Sequence, residues 1–263
     1  MSIQNNFTEL AVFYDTIYTG LKGSKVFQEI LQDVFVEDYF PDLENFSFIR
    51  RSDVHKLKES LSSLRLRSTI LELGCGTGGL LHYLSKDRLG LAIGIDISPC
   101  AVAYATQIPT SGSERIFFAV ADMTELPFSS NSIDAILSID AIHHSRPFTA
   151  TAAEIARVLQ PDGRLIFTHW TDRKALRFPA LDPLYLALLK NGLEIEHLYE
   201  ADPGIFMQLK VYAAIHDNRA RVTAELGREI YGFLMNEARA MWHHAGNVSR
   251  IIATFSKPSV AGY

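Results

Sequence analysis

The segment that most restricts this chain is STILEL followed by GCGTGG, residues 68–79. Its first six residues read as a buried strand. The glycines that follow end the strand in a turn, and GLLHYLSKD (79–87) then reads as a helix. Strand, glycine loop and helix open a parallel α/β unit. Glycines at such a turn let the backbone approach a ligand at a helix N-terminus without interference from a Cβ atom.

The alternation continues downstream. LAIGID (91–96) is expected as a second strand, with Ser98 as N-cap and Pro99 at the first position of the following helix. IFFAVAD (116–122) is a third strand, and SIDAILSID (132–140) contains a fourth. The helix FTATAAEIARVL (148–159) precedes a fifth strand, GRLIFTHW (163–170). A helix at LYLALLKNG (184–192), a sixth strand at LEIEHLY (193–199) and a final strand at SRIIATFSKP (249–258) complete the series. This order implies a parallel sheet wrapped by helices.

Helical periodicity dominates both flanks. AVFYDTIY (11–18), SKVFQEILQDVFVEDYF (24–40) and DVHKLKESLSSL (53–64) space apolar residues three and four apart. Within 204–246, Val222, Leu226, Ile230, Leu234 and Met241 mark one helical face. The expected layout is a helical lid over 1–66, a core over 67–203, a helical cap over 204–246 between the last two strands, and the final core strand within 247–263.

Composition narrows the partners. Of 263 residues 48% are hydrophobic, and 25 basic against 30 acidic residues leave a net charge of −5. That balance argues against nucleic-acid binding, which needs a basic footprint. No run of 18 uncharged apolar residues occurs, so no membrane span is expected, and MSIQNNFTEL does not read as a signal peptide. Cys75 and Cys100 have neither metal-ligand spacing nor the pattern of a disulfide framework. A cytoplasmic monomer or homodimer without a metal is the expectation.

Gly74, Gly76 and Gly79 match a loose GxGxxG, with Asp96 about 20 residues beyond, as in dinucleotide-binding folds. Glu72 separates two readings. A carboxylate beside the loop opposes an anionic pyrophosphate but stabilises a cation such as an ammonium or sulfonium. Here the sequence resembles the class I S-adenosylmethionine-dependent methyltransferases, whose first motif is an acidic residue, one residue, then GxGxG. ELGCGTG (72–78) matches it in full.

The resemblance extends over about 68–170 and implies residue roles. Glu72, Gly74, Cys75 and Gly76 would line the cofactor. GIDIS (94–98) would place Asp96 on the ribose hydroxyls with Ile97 beside it. AVADMTELPF (119–128) would place Asp122 at the adenine amino group and Met123 near the ring. SIDAILSIDAIHHS (132–145) resembles the fourth strand and its exit, adding Ser138, and RVLQPDGRLIFTHW (157–170) resembles the stretch through the fifth. AVFYDTIYTG (11–20) resembles the helix that folds over the cofactor in small-molecule methyltransferases, with Tyr14 at the methionine carboxylate and Tyr18 on the acceptor side. The implied fold is a Rossmann-like three-layer α/β/α domain, its seven-stranded sheet mostly parallel with a final antiparallel strand.

Methyl transfer needs an aligned, dry site, and a general base when the acceptor is a hydroxyl or an acidic carbon. His143 and His144 are the catalytic candidates, with a polar wall as their competing role. His169 and Trp170 are read as facing the same rim, so Trp170 and His144 join the acceptor set. His243 and His244 are left between solvent and acceptor, and Asp134 is read as structural. The acceptor expected is a small metabolite or natural product, methylated on nitrogen, oxygen or carbon. Two alternatives stay open: an NAD-dependent oxidoreductase and a non-catalytic S-adenosylmethionine-binding partner subunit.

Overall fold

The computed structural model describes residues 7–41, 43, 48–62, 64–65, 67–86, 90–109, 115–201 and 204–259. The expected boundaries at 66 and 203 lie outside these residues, as do 1–6 of the lid segment and 260–263 of the final core segment. The strands are β1 (Thr69–Leu73), β2 (Leu91–Asp96), β3 (Arg115–Val120), β4 (Ile133–Ser138), β5 (Leu159–Asp172), β6 (Glu194–Glu200) and β7 (Val248–Ser256). They form one sheet in the order β3-β2-β1-β4-β5-β7-β6. Strands β1 to β5 are parallel, and β7 is antiparallel to both its neighbours. The order reverses between β1 and β4, which opens a crevice at their carboxyl ends.

Helices α1 (Phe7–Leu21), α2 (Lys25–Phe35) and α3 (Arg51–Leu61) precede the sheet. Between strands come α4 (Gly79–Ser85), α5 (Pro99–Thr106), α6 (Phe148–Val158), α7 (Arg173–Arg177) and α8 (Pro183–Lys190). Helices α9 (Gly204–Asp217) and α10 (Arg219–His244) stand between β6 and β7. Side chains fix several starts: Ser98 Oγ accepts from Ala101 N at α5, and Asp182 accepts from Leu184 N and Tyr185 N at α8.

Neighbouring strand residues feed opposite cores. Leu71, Ile136 and Phe167 pack with Ile155, Val158 and Tyr185 on one face of the sheet. Ile70, Leu137 and Ile166 pack with Leu57, Leu61, Leu80 and Leu81 on the other. The two-residue pleat with both faces covered explains why these strands read as continuous apolar runs. Each such side chain, fully buried, contributes about 1.5–3 kcal/mol.

A third core holds Ile17, Phe27, Ile30, Val211, Tyr212, Val222 and Leu234. It joins α1 and α2 to α9 and α10, so the helices expected as separate lid and cap share one apolar interior. Inside α10, Gly227 leaves helical geometry at φ 85° and ψ 163°, a break that redirects the helix. Strand β5 also begins earlier than its sequence suggests. Its register against β4 jumps from Ile133↔Leu159 to Ala135↔Arg164, so Pro161 and Gly163 sit in an excursion within the pairing rather than before it.

Candidate active site

The carboxyl ends of β1 to β4 and the inner faces of α1, α9 and α10 enclose one cleft. It holds about 1430 Å³ of non-atom space, open solvent at its mouth included.

The floor is the glycine loop. Gly74, Gly76 and Gly78 take φ of 70°, 51° and 80°, where side chains are strongly disfavoured. A Cβ at Gly74 would lie 2.3 Å from Ala141 Cβ, and one at Gly78 would lie 2.7 Å from the Phe118 ring. Gly74 N and Cys75 N donate to Ile95 O at 2.8 and 3.0 Å, fastening the loop to β2.

Two buried acids flank this loop. Asp96, 5% exposed, accepts from Gly76 N at 2.8 Å and Ser98 N at 2.9 Å. Burial raises its pKa while these amides oppose the rise. Asp96 therefore supports the loop directly, and each carboxylate oxygen retains accepting capacity. Glu72 is 3% exposed and its Oε2 has no partner among the described residues. Burial, reinforced by the Asp96 charge, pushes its carboxyl up to about 8. An orphaned buried carboxyl oxygen on the cleft wall suits a cationic ligand group and opposes an anionic one.

Ile97, Asp122 and Met123 line the same cleft. Asp122 stands two residues beyond β3, and its Oδ1 accepts from Thr124 N at 2.8 Å. Helix α1 roofs this end. Its Asp15 accepts from the Ser98 hydroxyl and from Cys100 N, docking the helix on the start of α5. Tyr18 lies directly over the loop, since a Cβ at Gly76 would fall 2.8 Å from its hydroxyl. Tyr14 lines the cleft beside it, and burial raises the pKa of both phenols.

At the exit of β4, Asp140 adopts φ 51°. Its amide donates to Thr168 Oγ1 at 2.6 Å, and its carboxylate receives Arg250 Nη2 at 3.0 Å. Burial works against its ionisation, yet Arg250 holds the carboxyl below the usual carboxylate range. Arg250 also donates to Asp53 of α3 at 3.0 Å. This buried network fixes the left-handed turn that carries His143 and His144 to the cleft.

The two imidazole rings lie 4.1 Å apart, and His144 meets Tyr14 edge to face at 6.0 Å. The His143 Nδ1 is buried without a partner among the described residues. Burial, followed by the charge of His144, lowers the His143 pKa well below its ordinary value. Desolvation lowers His144 to about 4, with Asp140 opposing and Arg146 assisting. Both rings are thus neutral at pH 7.

Two sequence assignments change. The Ser138 hydroxyl is buried in the sheet and donates to Leu73 O at 3.0 Å, so it does not line the cleft and leaves the cofactor set. Trp170 does line it, but His169 turns away to Asp182 Oδ2 at 2.9 Å, because successive strand residues face opposite sides. His243 and His244 are exposed on α10, away from the cleft. Asp134 holds Thr69 N at 2.7 Å, a link between strands. Sequence reasoning missed Gln208 and Glu237, which enter from α9 and α10 without any local motif.

Residues 71–167 match the family model described as a methyltransferase domain. Over these residues the core is similar to a methyltransferase domain. A 2-methyl-6-phytyl-1,4-hydroquinone methyltransferase of Synechocystis sp. is 34% identical over 128 residues, 48% of this chain and 40% of that protein. A probable chloroplastic tocopherol O-methyltransferase of Oryza sativa is 25% identical over 65% of this chain and 50% of its own length. The chain thus spans half or less of the length of these curated relatives. Among solved structures, the cyclase SpnF superposes with a TM-score of 0.73 at 19% identity over 98% of both chains. Phosphoethanolamine N-methyltransferase 2 of Haemonchus contortus gives 0.64 at 18% identity over 88% of this chain and 57% of that one. At these identities the likeness is one of fold. Among the described residues no helix is long and apolar enough to cross a membrane, and no cluster of three or more His, Cys, Asp or Glu could hold a metal.

Proposed function

We propose that this protein transfers a methyl group from S-adenosylmethionine to a small-molecule acceptor. The observation that carries the reading is the Glu72 carboxyl, buried beside the glycine loop with an orphaned oxygen. A phosphate-free nucleoside bearing an ammonium and a sulfonium suits that wall, whereas a pyrophosphate would meet Glu72 and Asp96 together. The same point disfavours the NAD-dependent oxidoreductase.

In this reading Glu72, Gly74, Cys75 and Gly76 hold the amino-acid end of the cofactor, assisted by Tyr14. Asp96 receives the ribose hydroxyls with Ile97 alongside, and Asp122 and Met123 border the adenine. When bound, the cofactor supplies an electrophilic methyl group. Tyr14, Tyr18 and the α1 roof keep water from the reacting end, and alignment carries most of the rate. His143 and His144 are neutral hydrogen-bond partners for the acceptor, with Trp170 beside them. At a pKa of about 4, His144 is a weak base. Free Cys75 and Cys100 fit a reducing cytoplasm, and a monomer or homodimer suffices for a cleft built from one chain.

The test has two stages. Thermal-shift titration should show stabilisation by S-adenosylhomocysteine, and stabilisation by NADH alone would overturn the assignment. Methyl-labelled S-adenosylmethionine incubated with a metabolite extract should then yield a labelled small molecule. Since the cyclase SpnF has the same overall fold, this labelling step is what separates group transfer from rearrangement or from a binding-only subunit.

A further inference from the structure

The helical side of the cleft carries polar groups that the cofactor assignment leaves unused. Gln208 Nε2 donates to the Tyr212 hydroxyl at 3.1 Å, and that hydroxyl donates to Glu237 Oε2 at 3.0 Å. Both Gln208 and Glu237 line the cleft. With its amide nitrogen turned to Tyr212, Gln208 presents Oε1, which is buried and has no partner among the described residues. Glu237 forms no ion pair among the described residues. This wall therefore offers two accepting oxygens, one on a carboxylate without a counter-ion, in a cleft that the aromatic residues Tyr14, Phe233 and Trp170 also line.

Acceptors in an aromatic enclosure recognise a cationic N–H donor. The carboxylate and the ring faces attract the charge, and two oxygens take two hydrogens. A hydroxyl brings one hydrogen and no charge. We propose that Glu237 and Gln208 bind the methyl acceptor, and that this acceptor is a primary or secondary amine on a small apolar body. The proposal rests on the methyltransferase reading above.

An ammonium nitrogen has no lone pair. One N–H proton passes to the Glu237 carboxylate, the N–H bonding pair stays on nitrogen as its lone pair, and a remaining N–H donates to Gln208 Oε1. Desolvation pushes Glu237 up to about 6 against the Tyr212 hydrogen bond, so it is ionised at pH 7 yet able to take a proton. The titratable groups facing it are Tyr14 of α1 and Tyr212 of α9, with Asp140, His143, His144 and Arg146 bordering the cleft opposite.

The experiment uses full-length protein saturated with S-adenosylhomocysteine, titrated by calorimetry with 2-phenylethylamine and with 2-phenylethanol. The two probes share a carbon skeleton and differ in the polar head. At about pH 8 the amine should bind at least about tenfold more tightly than the alcohol. The preference should shrink below about pH 6 as Glu237 takes up a proton, and E237Q should abolish it while keeping S-adenosylhomocysteine affinity within about twofold. Equal binding of both probes, no amine binding, or full preference in E237Q would overturn the proposal. Should E237Q not fold, the wild-type comparison still decides, because a preference unchanged from about pH 8 to pH 5 excludes a carboxylate of this pKa. Absence of S-adenosylhomocysteine binding would instead overturn the methyltransferase reading, and this proposal with it.

Discussion

In the proposed reading, Glu72 ties cofactor affinity to pH in a way that can be measured. In the free protein its carboxyl sits at about 8, so at pH 7 roughly nine in ten molecules carry the proton. A ligand ammonium beside it favours the carboxylate and draws that value down. Binding at pH 7 then releases nearly one proton. Affinity must fall as pH falls below about 8, because more of the free protein has to give up a proton first. Between roughly pH 6 and 7.5 the slope should approach tenfold per unit, or about 1.36 kcal/mol, and it should flatten above about pH 8. Calorimetry with S-adenosylhomocysteine, which keeps the ammonium, reads the proton directly when phosphate and Tris buffers are compared. Glu72→Gln should bind about tenfold or more weakly at pH 7.5, with a flat pH profile and no proton release. A wild-type slope near zero, or a variant that keeps the slope, would refute the reasoning.

The same residue gives a ligand-free readout. Its folded value of about 8 lies above the reference value of 4.5 for an exposed glutamate, so the folded state binds the proton more tightly. Stability from this group is therefore present at low pH and is lost as pH rises through that window. Glu72→Gln should melt higher than wild type at pH 8 and similarly to it at pH 4.5. The side chain that prepares the cleft for a cation destabilises the empty protein.

Three further outcomes are expected. Asp96→Ala leaves the amides of Gly76 and Ser98 unpaired, which should cost about 2–5 kcal/mol in denaturant unfolding together with S-adenosylhomocysteine binding; wild-type stability would show that the loop is held by other contacts. Arg250→Met leaves the buried Asp140 carboxylate without its counter-ion and should cost about 3–5 kcal/mol, partly recovered on acidification as Asp140 protonates; a loss independent of pH would argue for packing alone. His143→Gln and His144→Gln should alter KM while the acid limb of the kcat/KM profile persists, since burial lowers both pKa values and keeps both rings neutral at pH 7; disappearance of that limb in either variant would make that histidine the base.

What was legible in the sequence is what a short window contains. The glycine loop needs positive φ at Gly74, Gly76 and Gly78, a demand met within five residues. Asp96 follows because a strand of six residues ends beside that loop. The sequence is silent where geometry acts at a distance. Adjacency suggests one rim for His169 and Trp170, yet the pleat sends neighbours to opposite faces, and Asp182 on the far side claims the histidine. The face marked by Val222, Leu226, Ile230 and Leu234 was visible as helical periodicity. Its partners were not, because a 3.6-residue repeat shows which side of a helix is buried and not what covers it. Here it is Ile17, Phe27 and Ile30, from the other end of the chain.

That division has a functional consequence. The matched domain ends at residue 167, and it contains the glycine loop, Asp96 and Asp122. Gln208, Tyr212 and Glu237 lie beyond it, on helices whose sequence carries no motif. Gln208 and Glu237 reach the cleft because α9 and α10 share a core with α1 and α2. A similar fold over almost the whole chain belongs to a cyclase, so neither the sheet nor the helical roof dictates the reaction. In the proposed reading the cofactor end of the cleft is written in local sequence, whereas the acceptor end is assembled by tertiary packing. Changes to Gln208 or Glu237 should therefore redirect acceptor choice without disturbing the cofactor, while changes to Glu72 or Asp96 should act on the cofactor whatever the acceptor.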